Sequence, residues 1–293
     1  MKRGLRRTWI VAAAVVVVMG AAACGWAFVA RPGPAPAGAA RALPALPAAP
    51  RAAAAPLSAA QVAALPEAAY DQVIAGLVPV ASTAVEAVQL GALSAAAPLF
   101  DAAGTKPVAR MQVAGPFGDP NPIVAIARTS DWALVLTPAR QALPSTSADG
   151  TAAAQSAGWM PTRYITGLGP AGARIRVDLG SRSLVIERQG APDQRFPVAI
   201  GAADTPTPTG VTGYLEARFV DSAAGTGTTP IQLTSLHTTT DDDPAGGRCG
   251  GLVALHWWPK ASGAVSRGCL RLSPAALAAV DKLPLGTPIT IAE

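Results

Sequence analysis

Ser266-Arg267-Gly268-Cys269-Leu270-Arg271-Leu272, with His256 thirteen residues ahead of Cys269, decides how this chain is read. The stretch sets a thiol on a glycine turn and an imidazole at the end of the short apolar run 251–256. A Cys–His pair is the minimum equipment for nucleophilic acyl transfer, because the thiolate attacks while the imidazole takes and returns the proton. The chain has three Cys and two His, so few competing pairs exist. A thiol is mostly protonated at neutral pH, so the site must favour the thiolate. His256 accepts the proton, and the charge of Arg267 favours the ionised form. Arg267 is not a base, because arginine does not deprotonate in proteins. Gly268 permits a tight turn before the nucleophile and close approach of a substrate.

These residues resemble the active-site signature of the L,D-transpeptidase (YkuD-type) catalytic domain. That signature is a His at a strand end, a variable loop, then Ser/Thr-His-Gly-Cys, an apolar residue and Arg or Asn. Further pieces match in order: Ile175-Arg176-Val177-Asp178-Leu179 and Ser183-Leu184-Val185-Ile186 as an opening hairpin, Thr207-Pro208-Thr209-Gly210 as a turn, and Leu285-Gly286-Thr287-Pro288-Ile289-Thr290-Ile291 as a closing strand. Two positions depart from the pattern. Arg267 stands where the family has a second His, and Trp257-Trp258 stand where it has Gly-Thr.

The resemblance implies Cys269 as nucleophile and His256 as general base, with the imidazole oriented by the backbone carbonyl of Trp257. It implies an oxyanion hole from the backbone N–H groups of Arg267, Gly268 and Cys269. Arg271, Ser266 and Trp258 then line the substrate pocket, with the Arg271 fork suited to a carboxylate or carbonyl. The implied reaction is acylation on a peptidoglycan stem tetrapeptide and formation of a 3→3 cross-link, with no metal or cofactor. Carbapenem-type β-lactams are the implied covalent inhibitors. Two alternatives stand beside it: an L,D-carboxypeptidase, in which water replaces the acceptor amine, and a catalytically degenerate peptidoglycan-binding protein.

Composition sets the compartment. Half of the 293 residues are hydrophobic, but charged residues are only 14% and aromatics 5%, and much of the apolar share is alanine. The net charge is +5. The soluble part has no Lys/Arg stripe interleaved with aromatics, so nucleic acid is not an expected partner. Lys2, Arg3, Arg6 and Arg7 precede residues 8–30, which carry no charge. About 20 apolar residues span a bilayer as a helix, and the basic flank stays cytoplasmic. The rest of the chain is therefore expected on the extracytoplasmic face of the plasma membrane, in the cell envelope. An uncleaved transmembrane helix, a cleaved signal peptide and a lipoprotein acylated at Cys24 all fit. Cys249 and Cys269 remain; in an oxidising compartment they can pair, which would silence the nucleophile. The favoured reading leaves Cys249 as a thiol.

The expected fold class is mainly β. Residues 1–30 form the membrane segment and 31–56 a Pro/Ala-rich linker, extended and semi-rigid. Residues 57–86 are a short helical or irregular region, capped by Ser58 and interrupted at Pro66. Residues 87–168 show short strands at regular spacing and resemble an SH3-like β module, in which Trp132 and Trp159 are expected to pack in or against the core. The polar stretch 145–156 is expected as a loop. Residues 169–293 are the catalytic domain, a β-sandwich or barrel with one late helix opened by Ser273-Pro274. His237 is expected in a structural or surface role. Asp241-Asp242-Asp243 lacks the spacing of a calcium loop and is expected as a solvated acidic loop bordering the cleft.

Overall fold

The computed structural model describes residues 46–80, 88–221, 229–243 and 251–293. The apolar segment 8–30, Cys24 and Cys249 lie outside the described residues. Among the described residues no helix is long and apolar enough to cross a membrane.

Ser58 opens α1 (Ala59–Ala63) with a capping box: its hydroxyl accepts from the Gln61 N–H, and the Gln61 side chain accepts from the Ser58 N–H. The helix is one turn long, since Pro66 cannot continue it. Eight strands follow: β1 (Val78–Val80), β2 (Gln89–Leu93), β3 (Ala97–Phe100), β4 (Pro107–Met111), β5 (Ile123–Arg128), β6 (Trp132–Thr137), β7 (Gln155–Pro161) and β8 (Ile165–Pro170). They form one sheet in the order β4-β3-β7-β6-β5-β2-β8, with β1 on β7. The pleat sends alternate side chains to opposite faces. One face buries Leu99, Met111, Ile123, Val135 and Met160. The other buries Phe100, Trp132, Leu134 and Trp159. The end of the Pro/Ala-rich stretch lies on this second face, where the Ala52 carbonyl accepts from Trp132 Nε1 at 2.8 Å.

The polar stretch 145–156 departs from its expectation as a loop at its last two residues. Gln155 and Ser156 begin β7 and are buried. Their polarity misleads because every bond they make is internal. The Gln155 amide donates to the Thr137 and Ser156 carbonyls, and its oxygen accepts from Ser235 Oγ at 2.6 Å.

The second body contains β9 (Ala173–Asp178), β10 (Ser183–Arg188), β11 (Ala191–Pro197), β12 (Ile200–Gly201), β13 (Val211–Phe219), β14 (Ile231–His237), β15 (Leu252–Trp257), β16 (Ala264–Ser266), β17 (Leu270–Leu272), α2 (Pro274–Asp281) and β18 (Pro288–Ala292). Its main sheet runs β11-β10-β9-β18-β13-β14-β15-β17. Ala199, just past β11, exchanges both backbone hydrogen bonds with Arg271 on β17, each 3.0 Å, so the sheet nearly closes on itself. Ser273 caps α2 with Pro274 at its start. Leu277 and Val280 of that helix enter the same core as Val253, Leu255, Leu270 and Leu272. The two bodies share a core: Tyr214 of β13 is buried with Val124 and Trp159 of the upstream sheet.

Candidate active site

The pairing of β15 with β17 builds the site. The strands are parallel, with Leu255 opposite Leu270 and His256 opposite Arg271. Leu255, Leu270 and Leu272 point into the barrel core. By the period of two, His256, Cys269 and Arg271 then share the outer face. Cys269 stands one step before Leu270, opposite Ala254, so strand spacing and rise put its Cα about 8 Å from that of His256. Side chains of these lengths reach across that gap. The Cys269 side chain packs against an apolar floor of Ala217, Ile231, Leu233, Leu252 and Ala254. Its Sγ lies 3.9 Å from the Leu252 carbonyl.

His256 is partly buried, and its Nδ1 lies 2.9 Å from the Trp257 carbonyl. A carbonyl only accepts, so Nδ1 carries the proton and Nε2 is the basic nitrogen. Burial lowers the pKa of the imidazole; the Trp257 carbonyl raises it, and the Arg271 charge lowers it again. The net direction is downward, which keeps the ring neutral and able to accept a proton at neutral pH. Trp258 meets the His256 ring edge-on, with centroids 6.0 Å apart, and the Arg271 guanidinium lies 5.3 Å from the centre of the same indole. Trp257 turns its side chain toward the barrel core and offers only its carbonyl to the site.

The turn ahead of Cys269 is braced by hydroxyls. The Ser266 carbonyl accepts from the Ala202 N–H and from Thr205 Oγ1. The Gly268 carbonyl accepts from Thr207 Oγ1 at 2.8 Å. The Cys269 carbonyl accepts from Ser266 Oγ at 2.5 Å. In a trans peptide the C=O and N–H point in opposite directions. Fixing the carbonyls of Ser266 and Gly268 against the 202–207 segment therefore aims the N–H groups of Arg267 and Cys269 away from it. Gly268 adopts φ +98, and a Cβ there would come within 2.9 Å of the Thr238 methyl. A left-handed φ with a wall behind it restricts this position to glycine.

Cys269, His256 and Arg271 thus share one face of the β15–β17 pair, with Trp258 against both the imidazole and the guanidinium. Ser266, expected in the pocket, is buried and turns its hydroxyl onto the Cys269 carbonyl. Arg267 is exposed. His237 is buried, with Nε2 at 3.0 Å from the Tyr70 carbonyl, and burial together with the Arg140 charge drops its pKa to about 3. It is structural, as expected. The acidic loop is less solvated than expected. Asp242 accepts from the backbone N–H and hydroxyl of Ser145, and the charges of Asp241, Asp242 and Asp243 all act on buried Arg140. Among the described residues no group of acidic, His and Cys side chains is arranged to hold a metal ion. Sequence reasoning missed Thr205, Thr238, Tyr70 and Arg140. Thr207 sits in the turn already singled out, but nothing local marked the other four.

The catalytic-domain model of the YkuD family, the L,D-transpeptidase catalytic domain, matches residues 172–291. No curated protein matches the chain. Among solved structures, the L,D-transpeptidase of Stackebrandtia nassauensis is similar at 15% identity and a TM-score of 0.30, over 42% of this chain and 56% of that one. An L,D-transpeptidase of Mycobacterium smegmatis is similar at 19% identity and a TM-score of 0.31, over 56% of this chain and 92% of that one. L,D-transpeptidase 1 of Mycobacterium tuberculosis is similar at 18% and 0.31, over 47% and 78%. The chain thus spans just over half the length of the Stackebrandtia protein. Residues 172–291 are a YkuD-type L,D-transpeptidase catalytic domain.

Proposed function

We propose that this chain is a cysteine-dependent L,D-transpeptidase of the cell envelope, with Cys269 as nucleophile and His256 as base. The register of β15 against β17 carries the reading, because it sets a thiol and a neutral imidazole of defined tautomer on one face of adjacent strands. In the first step the Cys269 thiol gives its proton to His256 Nε2, and the sulfur adds to the carbonyl carbon of an L-centre in a stem tetrapeptide. The oxyanion is met by the outward N–H groups of Arg267 and Cys269. The C–N bond to the terminal D-Ala breaks, and its amine takes the proton from His256. An amine of a second stem then attacks the thioester, returns a proton to sulfur through His256, and leaves a 3→3 amide link. Arg271, with its guanidinium over the Trp258 indole, suits a substrate carboxylate. The uncharged segment 8–30 behind four cations supports an extracytoplasmic address, and the short strands of the upstream body support an SH3-like role on the wall.

The test is intact mass of the full-length chain in detergent after exposure to a carbapenem under reducing conditions. The strained lactam C–N bond opens on a thiol just as the peptide bond would. One adduct mapping to Cys269 and lost in His256→Ala is the expected result. A Cys269 that alkylates normally yet takes no adduct would sink the acyl-transfer reading. Product analysis with and without an amine acceptor separates cross-linking from simple hydrolysis.

A further inference from the structure

The upstream sheet reaches the nucleophile turn through one buried cation. Arg140 follows β6 and is only 3% exposed. Its backbone is tied to the 72–74 strap, with the Ile74 N–H on its carbonyl at 2.8 Å and its own N–H on the Gln72 carbonyl at 2.9 Å. The same strap carries Tyr70, which packs on the apolar floor beneath Cys269 and accepts from His237. Arg140 therefore leaves a fixed backbone. Its Nη2 then crosses into the catalytic body and donates to three oxygens at 3.1 Å: the Thr238 carbonyl, Thr238 Oγ1 and the Asp241 carbonyl. Thr238 Oγ1 donates onward to the Asp241 carbonyl, and the Thr238 N–H donates to the Gly251 carbonyl. Gly251 has φ +71, and a Cβ there would collide with the guanidinium. The catalytic body is thus shaped to admit this side chain.

The methyl of Thr238 is the wall behind Gly268. The turn that aims the Arg267 and Cys269 N–H groups is therefore clamped on two sides. Thr207 holds it from within the catalytic body. Thr238 backs it from the other side, and Thr238 is itself held by Arg140. We propose that Arg140 is a positioning residue for the acylation step, acting through Thr238 on the Gly268–Cys269 turn, so that the upstream body is part of the catalytic apparatus rather than only a spacer or wall-binding module. Arg140 touches no reacting atom. Its work is to keep the oxyanion donors in register.

This inference rests on the acyl-transfer reading, and the experiment separates the two. The full-length chain and its Arg140→Lys, Thr238→Val and Thr238→Ser variants are compared in two reactions. Carbapenem acylation needs thiolate and oxyanion donors. Alkylation by iodoacetamide needs only the thiolate. Thr238→Val keeps a methyl behind Gly268 but removes the hydroxyl that Arg140 holds; Thr238→Ser keeps the hydroxyl and removes the methyl. Misplacement of a catalytic group by about 1 Å costs up to roughly 100-fold. Each variant is expected to acylate about 10- to 100-fold more slowly while alkylating within about twofold of wild type. Combining Arg140→Lys with Thr238→Ser should cost little more than the worse single change, because both act through one contact. A purely structural Arg140 would alter melting but leave the ratio of the two rates unchanged per folded molecule, and that overturns the inference. If Arg140→Lys fails to fold, the two Thr238 variants decide alone. A wild-type chain that alkylates but never acylates overturns the acyl-transfer reading and this inference with it. Variants that acylate at the wild-type rate overturn this inference only.

Discussion

The two histidines sit at opposite ends of one antiparallel ladder. His237 closes β14 opposite Leu252, and His256 lies near the far end of β15, with Cys269 opposite Ala254 between them. Their fates differ because their coverings differ. His237 is sealed by the upstream body: the Tyr70 carbonyl takes its Nε2, and the Arg140 charge sits near it. It is neutral down to about pH 3 and has no access to a substrate. His256 is partly buried, and its Nδ1 is bonded to its neighbour's carbonyl, which leaves Nε2 as the unprotonated nitrogen. Burial lowers both, but only His256 is left partly exposed. Covering, rather than residue type, separates the two.

The sharpest way to break that comparison is to ask whether His237 can stand in for His256. His256→Ala should slow carbapenem acylation about 10²- to 10⁴-fold, the usual worth of a positioned general base. His237→Leu should leave acylation per folded molecule nearly intact. Stopped-flow acylation rates check both, and comparable losses would erase the distinction. The pH profile sharpens it. Because the His256 pKa is lowered, the ring stays a competent base below the ordinary histidine range, so the acid limb of the wild-type rate should fall below pH 6.5.

A third buried titratable group tilts stability the other way. Glu216 lies at a bulge in β13, is 3% exposed, and burial raises its pKa from 4.5 to about 8. Its Oε2 has no hydrogen-bond partner. The folded state holds this proton more tightly than the unfolded chain. The contribution is fully present below pH 4.5 and is lost as pH rises toward 8. Glu216→Gln, which mimics the protonated acid, should remove that slope, worth roughly 1.4 kcal/mol per pH unit inside the window. Denaturant titrations at pH 5 and pH 8 should show wild type losing stability between them and the variant losing far less. Equal losses would mean that Glu216 ionises freely in the folded chain.

His237 supplies the opposed slope. Its pKa falls from 6.5 to about 3 on folding, so the unfolded chain binds the extra proton in that window and stability drops as pH falls from 6.5. Between pH 4.5 and 6.5 the two slopes oppose each other. His237→Leu should cost about 1–3 kcal/mol near neutral pH by removing the hydrogen bond to the Tyr70 carbonyl, and should flatten the acid side of the profile. A variant as stable as wild type at pH 7 would mean that the Tyr70 contact contributes nothing.

What the sequence disclosed follows the same division. Cys269, His256, Gly268 and the Ser273-Pro274 helix start were legible because each depends on neighbours a few residues away. The β15–β17 pairing that sets His256 and Cys269 on one face was not, since β17 is three residues long and pairs parallel with a strand beyond an intervening loop. Arg140, Tyr70 and Gln155 were invisible for a stronger reason. Arg140 and Gln155 are polar and read as surface, and Tyr70 reads as one position of a helical face, until a partner roughly 80 or more positions away is known. A buried polar group declares itself only when its partner is known.

The smallest expected effect concerns the two arginines flanking Cys269. Sequence reasoning gave both a role, but the structure treats them differently. Arg271 lies on a strand paired on both sides and stacks on Trp258 beside His256. Arg267 is exposed, where water and salt screen its charge. An exposed charge contributes about 0–1 kcal/mol to a neighbouring ion. Arg267→Gln should therefore slow acylation by no more than about fivefold, and the deficit should shrink further at high salt. Arg271→Gln should cost more and resist salt, because the indole excludes water from one side of the guanidinium. Rates for both variants at low and high ionic strength check the contrast. A large, salt-resistant loss in Arg267→Gln would show that Arg267 acts directly on the reacting thiol, taking over at close range the electrostatic work of the histidine it replaces.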